Sequence, residues 1–195
     1  MSDGVGVETG EEGIRLGLLA VLSAGVRRCN PGAVVNAIVA LAGTYVPNVA
    51  AARYELQFRP WQRLYVESAM LTHAAGMLGP YDDVWWWDHV THAHSASIVG
   101  GAIHTVARRQ GRDPVVHVLG GVFAAGLVWE TIEYVVHYVS RRLGFKPLLV
   151  SYGYRDTVLD LVFNLVGGVV VLVFGDHVEN LVETSEGDSS VSDRQ

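Results

Sequence analysis

The sequence predicts an all-α fold, a polytopic bundle of about six transmembrane helices, and three observations carry that reading. Half of the residues are hydrophobic, 17% are charged and the mean hydropathy is +0.26, which is the balance of a membrane protein. Apolar runs near the ~17–25 residues needed to cross a bilayer core recur along the chain. The connections between them are short and carry turn residues and arginines.

Taken in order, the runs lie near 13–27, 33–52, 62–79, 86–108, 114–138 and 157–175. The first is short, ends at Arg27-Arg28, and reads as a tilted or half-length helix. Asn30-Pro31-Gly32 then supplies a turn, and Ala33 to Ala52 follows without a single charge, with a kink expected at Pro47. Pro60 opens the third run and Pro80 follows it. The fourth begins at Trp85-Trp86-Trp87, an interfacial aromatic belt by composition. Gly111 and Pro114 separate the fourth from the fifth. Ser140 to Asp156, the longest connection, carries Arg141, Arg142, Lys146 and Arg155 before the sixth run. Gly100-Gly101, Gly120-Gly121 and Gly167-Gly168 fall inside three successive helices, where small residues let backbones approach.

Both ends are polar and acidic, so 1–12 and 176–195 are expected to be disordered around a transmembrane domain at 13–175. The net charge of −6 sits mostly there, and no basic patch interleaved with aromatics occurs, which argues against nucleic-acid partners and leaves membrane lipids as the expected surroundings. Cys29 is the only cysteine, which excludes internal disulfides and a multi-thiolate zinc site. The acidic start lacks the basic region of a cleavable signal, so insertion is expected to rely on internal segments of a multi-pass cell-membrane protein.

Against this apolar background three groups of ionisable residues stand at helical spacing: Asp88 and His92; Glu130, Glu133 and His137; Asp156, Asp160 and Asn164. A charge at the centre of a spanning helix costs about 2.5–3.5 kcal/mol on insertion scales, so such residues mark functional sites more often than not. With six alternating spans, all three groups and His73 fall at one membrane face, whereas His104 and His117 fall at the other. His104 and His117 read as satisfied helix-facing histidines, and Glu67, alone in its segment, reads as the partner of an arginine.

The run Trp87-Asp-His-Val-Thr-His92 with Gly100-Gly101, then Trp129-Glu-Thr-Ile-Glu133-Tyr134, then Tyr154-Arg-Asp-Thr-Val-Leu-Asp160 through Asn164 and Gly168, resembles the motifs of the YjdF family of small polytopic membrane proteins. VanZ-like proteins are more distantly similar in their closing Asp, Asn, Gly helix. The resemblance covers roughly 60–175 and implies a membrane fold without an established activity. His89 and His94 stand beside the Asp-x-x-x-His pair.

Chemistry therefore has to come from the residues. Carboxylates, imidazoles and a carboxamide suit a hard or borderline divalent ion, with Asp88, His92, Glu133, His137, Asp156 and Asp160 as the candidate ligands. Asp156 and Asn164 are eight residues apart, ~12 Å along a helix, so only a subset can hold one ion. No Glu-x-x-His pair occurs, which disfavours a diiron centre. Glu130, Glu133 and Asp160 are the candidates for acid–base catalysis, in a metal-dependent hydrolase or transferase acting on a lipid or lipid-linked phosphate held by Arg141, Arg142, Lys146 or Arg155. Proton-coupled transport and a purely structural polar network are the alternatives.

Overall fold

The computed structural model describes residues 2–54 and 58–187, and every regular element among them is a helix. In chain order these are α1 (Ser2–Arg27), α2 (Pro31–Gly43), α3 (Val46–Tyr54), α4 (Pro60–Gly76), α5 (Pro80–Asp83), α6 (Trp87–Arg109), α7 (Pro114–Arg142) and α8 (Tyr154–Gly187). The all-helical class is thus as the hydropathy pattern predicts, and each of the six expected runs is helical. Three helical stretches are long and apolar enough to cross a membrane: Pro31–Arg53, Pro114–Arg142 and Tyr154–Gly175. The runs in α1, α4 and α6 fall short of that standard. Glu8, Glu11, Glu12 and Arg15 dilute the first, the second is only 17 residues long, and the aspartate and histidines of Trp87–His94 dilute the third.

Local sequence explains the starts and breaks. Asn30 caps α2 by accepting from the Ala33 N–H at 3.2 Å, while its amide donates to the Met77 carbonyl at 2.9 Å. Pro31 follows as the first helical residue, where its missing N–H costs nothing. At α4, Pro60 plays the same part and the Gln62 side chain accepts from the Arg59 N–H at 2.9 Å. The expected kink at Pro47 is displaced: the helix breaks at Thr44-Tyr45, just before Val46-Pro47. Proline disfavours helical geometry in the residue before it and lacks the N–H to continue the ladder, so the interruption forms upstream of the ring.

The chain divides into two compact units, Met1–Thr91 with Trp129–Thr157, and His92–Val128 with Val158–Gln195. In the first, Leu18 and Val21 of α1, Ala37 and Ala40 of α2 and Ala74 of α4 form a buried core, with Met70 and Leu71 packed against it. Beside this core lies a charged layer. Glu11 accepts from Arg63 at 2.7 and 3.2 Å and from Arg15 at 3.4 Å. Glu67 is fully buried and faces Arg15 at 3.8 Å, so the lone glutamate does meet an arginine. Glu11 thus ties α1, which begins at Ser2, to α4. At the other end α8 runs to Gly187, and 188–195 lie outside the described residues.

In the second unit Ala96 of α6 and Val118 and Val122 of α7 are buried, with Leu165 and Leu172 of α8 packed against them. Glycines set the spacing, as the three pairs predict, though only one residue of some pairs is used. A Cβ on Gly167 would strike the Ala93 carbonyl and lie 3.0 Å from the Ser97 nitrogen, and one on Gly121 would strike Ile103. Gly101 and Gly120 face open space. The outer faces of α7 and α8 expose Val128, Val135, Val139, Val162, Val169 and Val173, a surface suited to lipid.

Candidate functional site

The polar residues of the sequence groups are distributed over the two units. The first unit holds Asp88, Glu130, Glu133, His137 and Asp156, and the second holds His92, Asp160 and Asn164.

In the first unit a recess of about 90 Å³ is lined by Asn30, His73, Tyr81, Asp82, Asp88, Glu133, Lys146 and Tyr152 among others. His73 is fixed from both sides. Asn36 holds its amide nitrogen to the Gly32 carbonyl at 2.9 Å, which aims its oxygen at His73 Nε2, 3.1 Å away. Nε2 then donates to Asn36, and Nδ1 lies 2.6 Å from the Tyr81 hydroxyl, which stands 3.4 Å from Thr91 Oγ1. Both nitrogens of His73 are thus engaged, and it acts as an anchor for Tyr81. Burial pushes the Tyr81 phenol far above its ordinary range, and the Asp88 and Glu133 carboxylates add to this. At the rim the Tyr152 hydroxyl donates to Asp82 Oδ1 at 2.6 Å, and burial, with that bond, raises its phenol as well. Tyr81, Tyr152, Asp82 and Asn36 escaped the sequence reading. The four-residue offset of Asp82 from Leu78 and the Pro80-Tyr81 turn give no periodic signal, although Tyr81 lies between two polar helices.

Two of the sequence candidates, Glu130 and His137, acquire definite partners in this unit. Glu130 is buried and accepts from Thr157 Oγ1 at 2.7 Å. Glu133 reaches the recess with Asp88. His137 Nδ1 accepts from the Ser151 N–H at 3.2 Å, a bond that ties the 143–153 connection back to α7. Asp156, in the first turn of α8, is half-buried. Trp87 departs from the expected belt: Trp85 and Trp86 are exposed, but the Trp87 indole donates to the Thr72 carbonyl at 3.2 Å.

In the second unit the Asp-Leu-Val-Phe-Asn run of α8 puts Asp160 and Asn164 on one face, one turn apart, and Gly167 lets that face reach the α6 backbone. His92 is buried there. Its Nδ1 lies 3.4 Å from Asn164 Oδ1, an atom that can only accept, so Nδ1 carries a proton. Its Nε2 stands 3.9 Å from Oδ1 of Asp160, which is 1% exposed. The gap is too long for a hydrogen bond. A tetrahedral ion with bonds near 2.0–2.2 Å sets its ligand atoms roughly 3.4 Å apart, within about half an ångström of this gap. His92 and Asp160 are the two ligand-type residues that this unit brings together. Asp88, His137 and Asp156 belong to the first unit. Of the remaining histidines, His89 is buried with Trp85 edge-on at 6.4 Å, His104 is buried, and His117 Nδ1 donates to the Asp113 carbonyl at 2.7 Å.

The sequence pattern of a family described as a predicted membrane protein (DUF2238) matches residues 13–180. No curated protein and no solved structure matches the chain. The match covers the whole polar and apolar pattern discussed above and carries no activity with it.

Proposed function

We propose a divalent-metal site for this chain, which belongs to the DUF2238 family of predicted membrane proteins. The observation that carries the proposal is the spacing of His92 Nε2 and Asp160 Oδ1, 3.9 Å apart in a buried setting, with Asn164 engaging the other ring nitrogen. A carboxylate and an imidazole suit Zn, Mn or Fe. The positive charge of an ion would also offset the cost of burying Asp160. Glu133, which shares a recess with Asp88, and Glu130, held by Thr157, are the acid–base candidates of the first unit. His137 holds the connection before α8 through the Ser151 N–H.

This donor set suits a metal-dependent hydrolase or transferase acting on a lipid or lipid-linked substrate, in a multi-pass protein of the cell membrane with its site near one interface. A bound ion would supply Lewis acidity and a water of lowered pKa. The kinship is finest with YjdF-like proteins, on the motifs from Trp87, Trp129 and Tyr154. The test is elemental analysis of purified protein. We expect about one divalent ion per chain, lost in Asp160→Ala and His92→Ala and retained in His137→Ala. A well-folded wild-type protein that takes up no divalent ion would refute the site.

A further inference from the structure

Lys146 lines two cavities of the first unit that differ in character. One is the acidic recess of about 90 Å³ that contains Asp88 and Glu133. The other is an open groove of about 520 Å³ lined by Val135, Val136, Val139, Leu143, Phe145 and Leu148, with Lys146 its only charged residue. The sizes decide what each could hold. Ligand pockets typically enclose about 300–1,000 Å³, so the groove is large enough for an organic chain. The recess is not: it admits an ion, a few waters or a small head group.

We propose that the groove and recess together bind a single-chain lipid bearing a phosphate head group, with the chain along the valine face of α7 and the phosphate on Lys146. Three features support this occupant. The groove begins on Val135, inside the helix Pro114–Arg142 that is long and apolar enough to cross a membrane, so its mouth is where lipid chains are available. Its lining offers nothing to satisfy a peptide backbone, since Ser140 and Lys146 are the only residues there with polar side chains. Lys146 is also singled out among the nearby cations: Arg142 lies over the Tyr138 ring at 5.1 Å, and neither Arg141 nor Arg155 lines either cavity. A lysine at this junction recognises an anion, and the carboxylates beyond it repel that anion unless it stops at Lys146. The proposal deepens the metal reading by naming its substrate class and rests on that reading for the fate of the head group.

The experiment uses the full chain in phosphatidylcholine nanodiscs and an alkyl phosphate with a diazirine in its chain, mapped by mass spectrometry after illumination. Labelling is expected within 135–148, and about tenfold weaker in Lys146→Gln, the loss of one charge-assisted bond. The matching neutral alcohol should label wild type and Lys146→Gln alike, and Val139→Trp should abolish labelling by filling the groove. Lys146 and Val139 are both exposed, so neither variant challenges folding, and unchanged melting confirms it. Equal labelling of wild type and Lys146→Gln by the phosphate, or labels spread evenly over the outer faces of α7 and α8, would overturn the proposal. Competition by inorganic phosphate would overturn the lipid assignment in favour of free phosphate. Metal content is measured on the same samples: metal-free protein that still captures the probe through Lys146 refutes the metal site alone, and metal-loaded protein that does not capture it refutes the lipid site alone.

Discussion

Gly167→Ala probes the contact that holds the proposed ligands together. A Cβ at this position lands on the Ala93 carbonyl and 3.0 Å from the Ser97 nitrogen, and both obstacles are backbone of α6. Backbone within a helix cannot rotate aside, so α8 must move. Overpacking of this kind costs about 1–3 kcal/mol, while replacing glycine by alanine inside a helix returns up to ~1 kcal/mol. The net expectation is about 0–3 kcal/mol of destabilisation. Gly101→Ala and Gly120→Ala are the internal controls, since their new methyl groups meet nothing within 4 Å and should leave stability unchanged or raise it by up to ~1 kcal/mol. At about 2–4 °C per kcal/mol for a chain of this size, the melting temperatures of Gly167→Ala and the controls should separate by several degrees. The metal readout should separate further. Ala93 is the residue after His92, and Asn164 is three residues before Gly167, so a shift of α8 at this point pulls Asn164 and Asp160 from His92. Gly167→Ala should therefore lower metal occupancy while both controls keep it. If all three variants melt together and hold metal equally, close backbone approach at Gly167 does not position the site.

Other expectations follow from individual contacts. Asp160→Asn keeps the size of the side chain but removes its charge, so it should lose metal with little loss of fold, and elemental analysis beside thermal melting separates the two. Glu11→Gln removes the charge that binds Arg63 at 2.7 Å and should lower stability by about 1–3 kcal/mol, with the effect much reduced when Arg63 is already glutamine; chemical or thermal unfolding of the four proteins of that cycle checks it. Trp87→Phe should cost about 1 kcal/mol through the lost bond to Thr72, whereas Trp85→Phe should cost close to nothing, because only Trp87 donates inward. Tyr81 and Tyr152 both have folded pKa values raised above the unfolded value near 10. Their contribution to stability is therefore fully present below about pH 10 and is lost as the pH climbs past it toward the folded values. Ultraviolet titration should find fewer phenolates near pH ~11 in native than in unfolded protein, and Tyr152→Phe should narrow that difference; identical native and unfolded titrations would contradict the burial argument.

The apolar pattern made the helices legible because the signal is summed over many residues: all six runs are helical even where charges or length leave α1, α4 and α6 short of a spanning stretch. Helical spacing also placed Asp160 and Asn164 on one face, and the structure brings His92 to that face. Periodicity could not reveal which neighbours each residue would find. His137 shares the spacing of Glu130 and Glu133, yet its ring accepts from the Ser151 N–H, a partner supplied by an irregular connection with no pattern to read. The same limit hid Tyr81, whose part depends on Asn36 fixing His73 from another helix. Composition likewise records the charge of Glu11 but not that Arg63 stands 52 positions away to meet it.

These cases share a physical basis that bears on the site itself. Hydrophobic periodicity is read from one helix at a time, because burial depends on which face turns inward. A polar residue in an apolar setting is different, since its cost depends on whether particular atoms elsewhere answer it. Glu67 and Asp160 look equivalent in sequence, each a carboxylate inside an apolar run, and both are almost wholly buried. Glu67 faces Arg15, a fixed cation at 3.8 Å, whereas Asp160 faces the His92 imidazole at 3.9 Å, a side chain that can ligate a metal. That difference in partner, rather than burial, distinguishes the proposed metal site from the structural ion pair, and metal retention in Glu67→Gln set beside its loss in Asp160→Asn would demonstrate it.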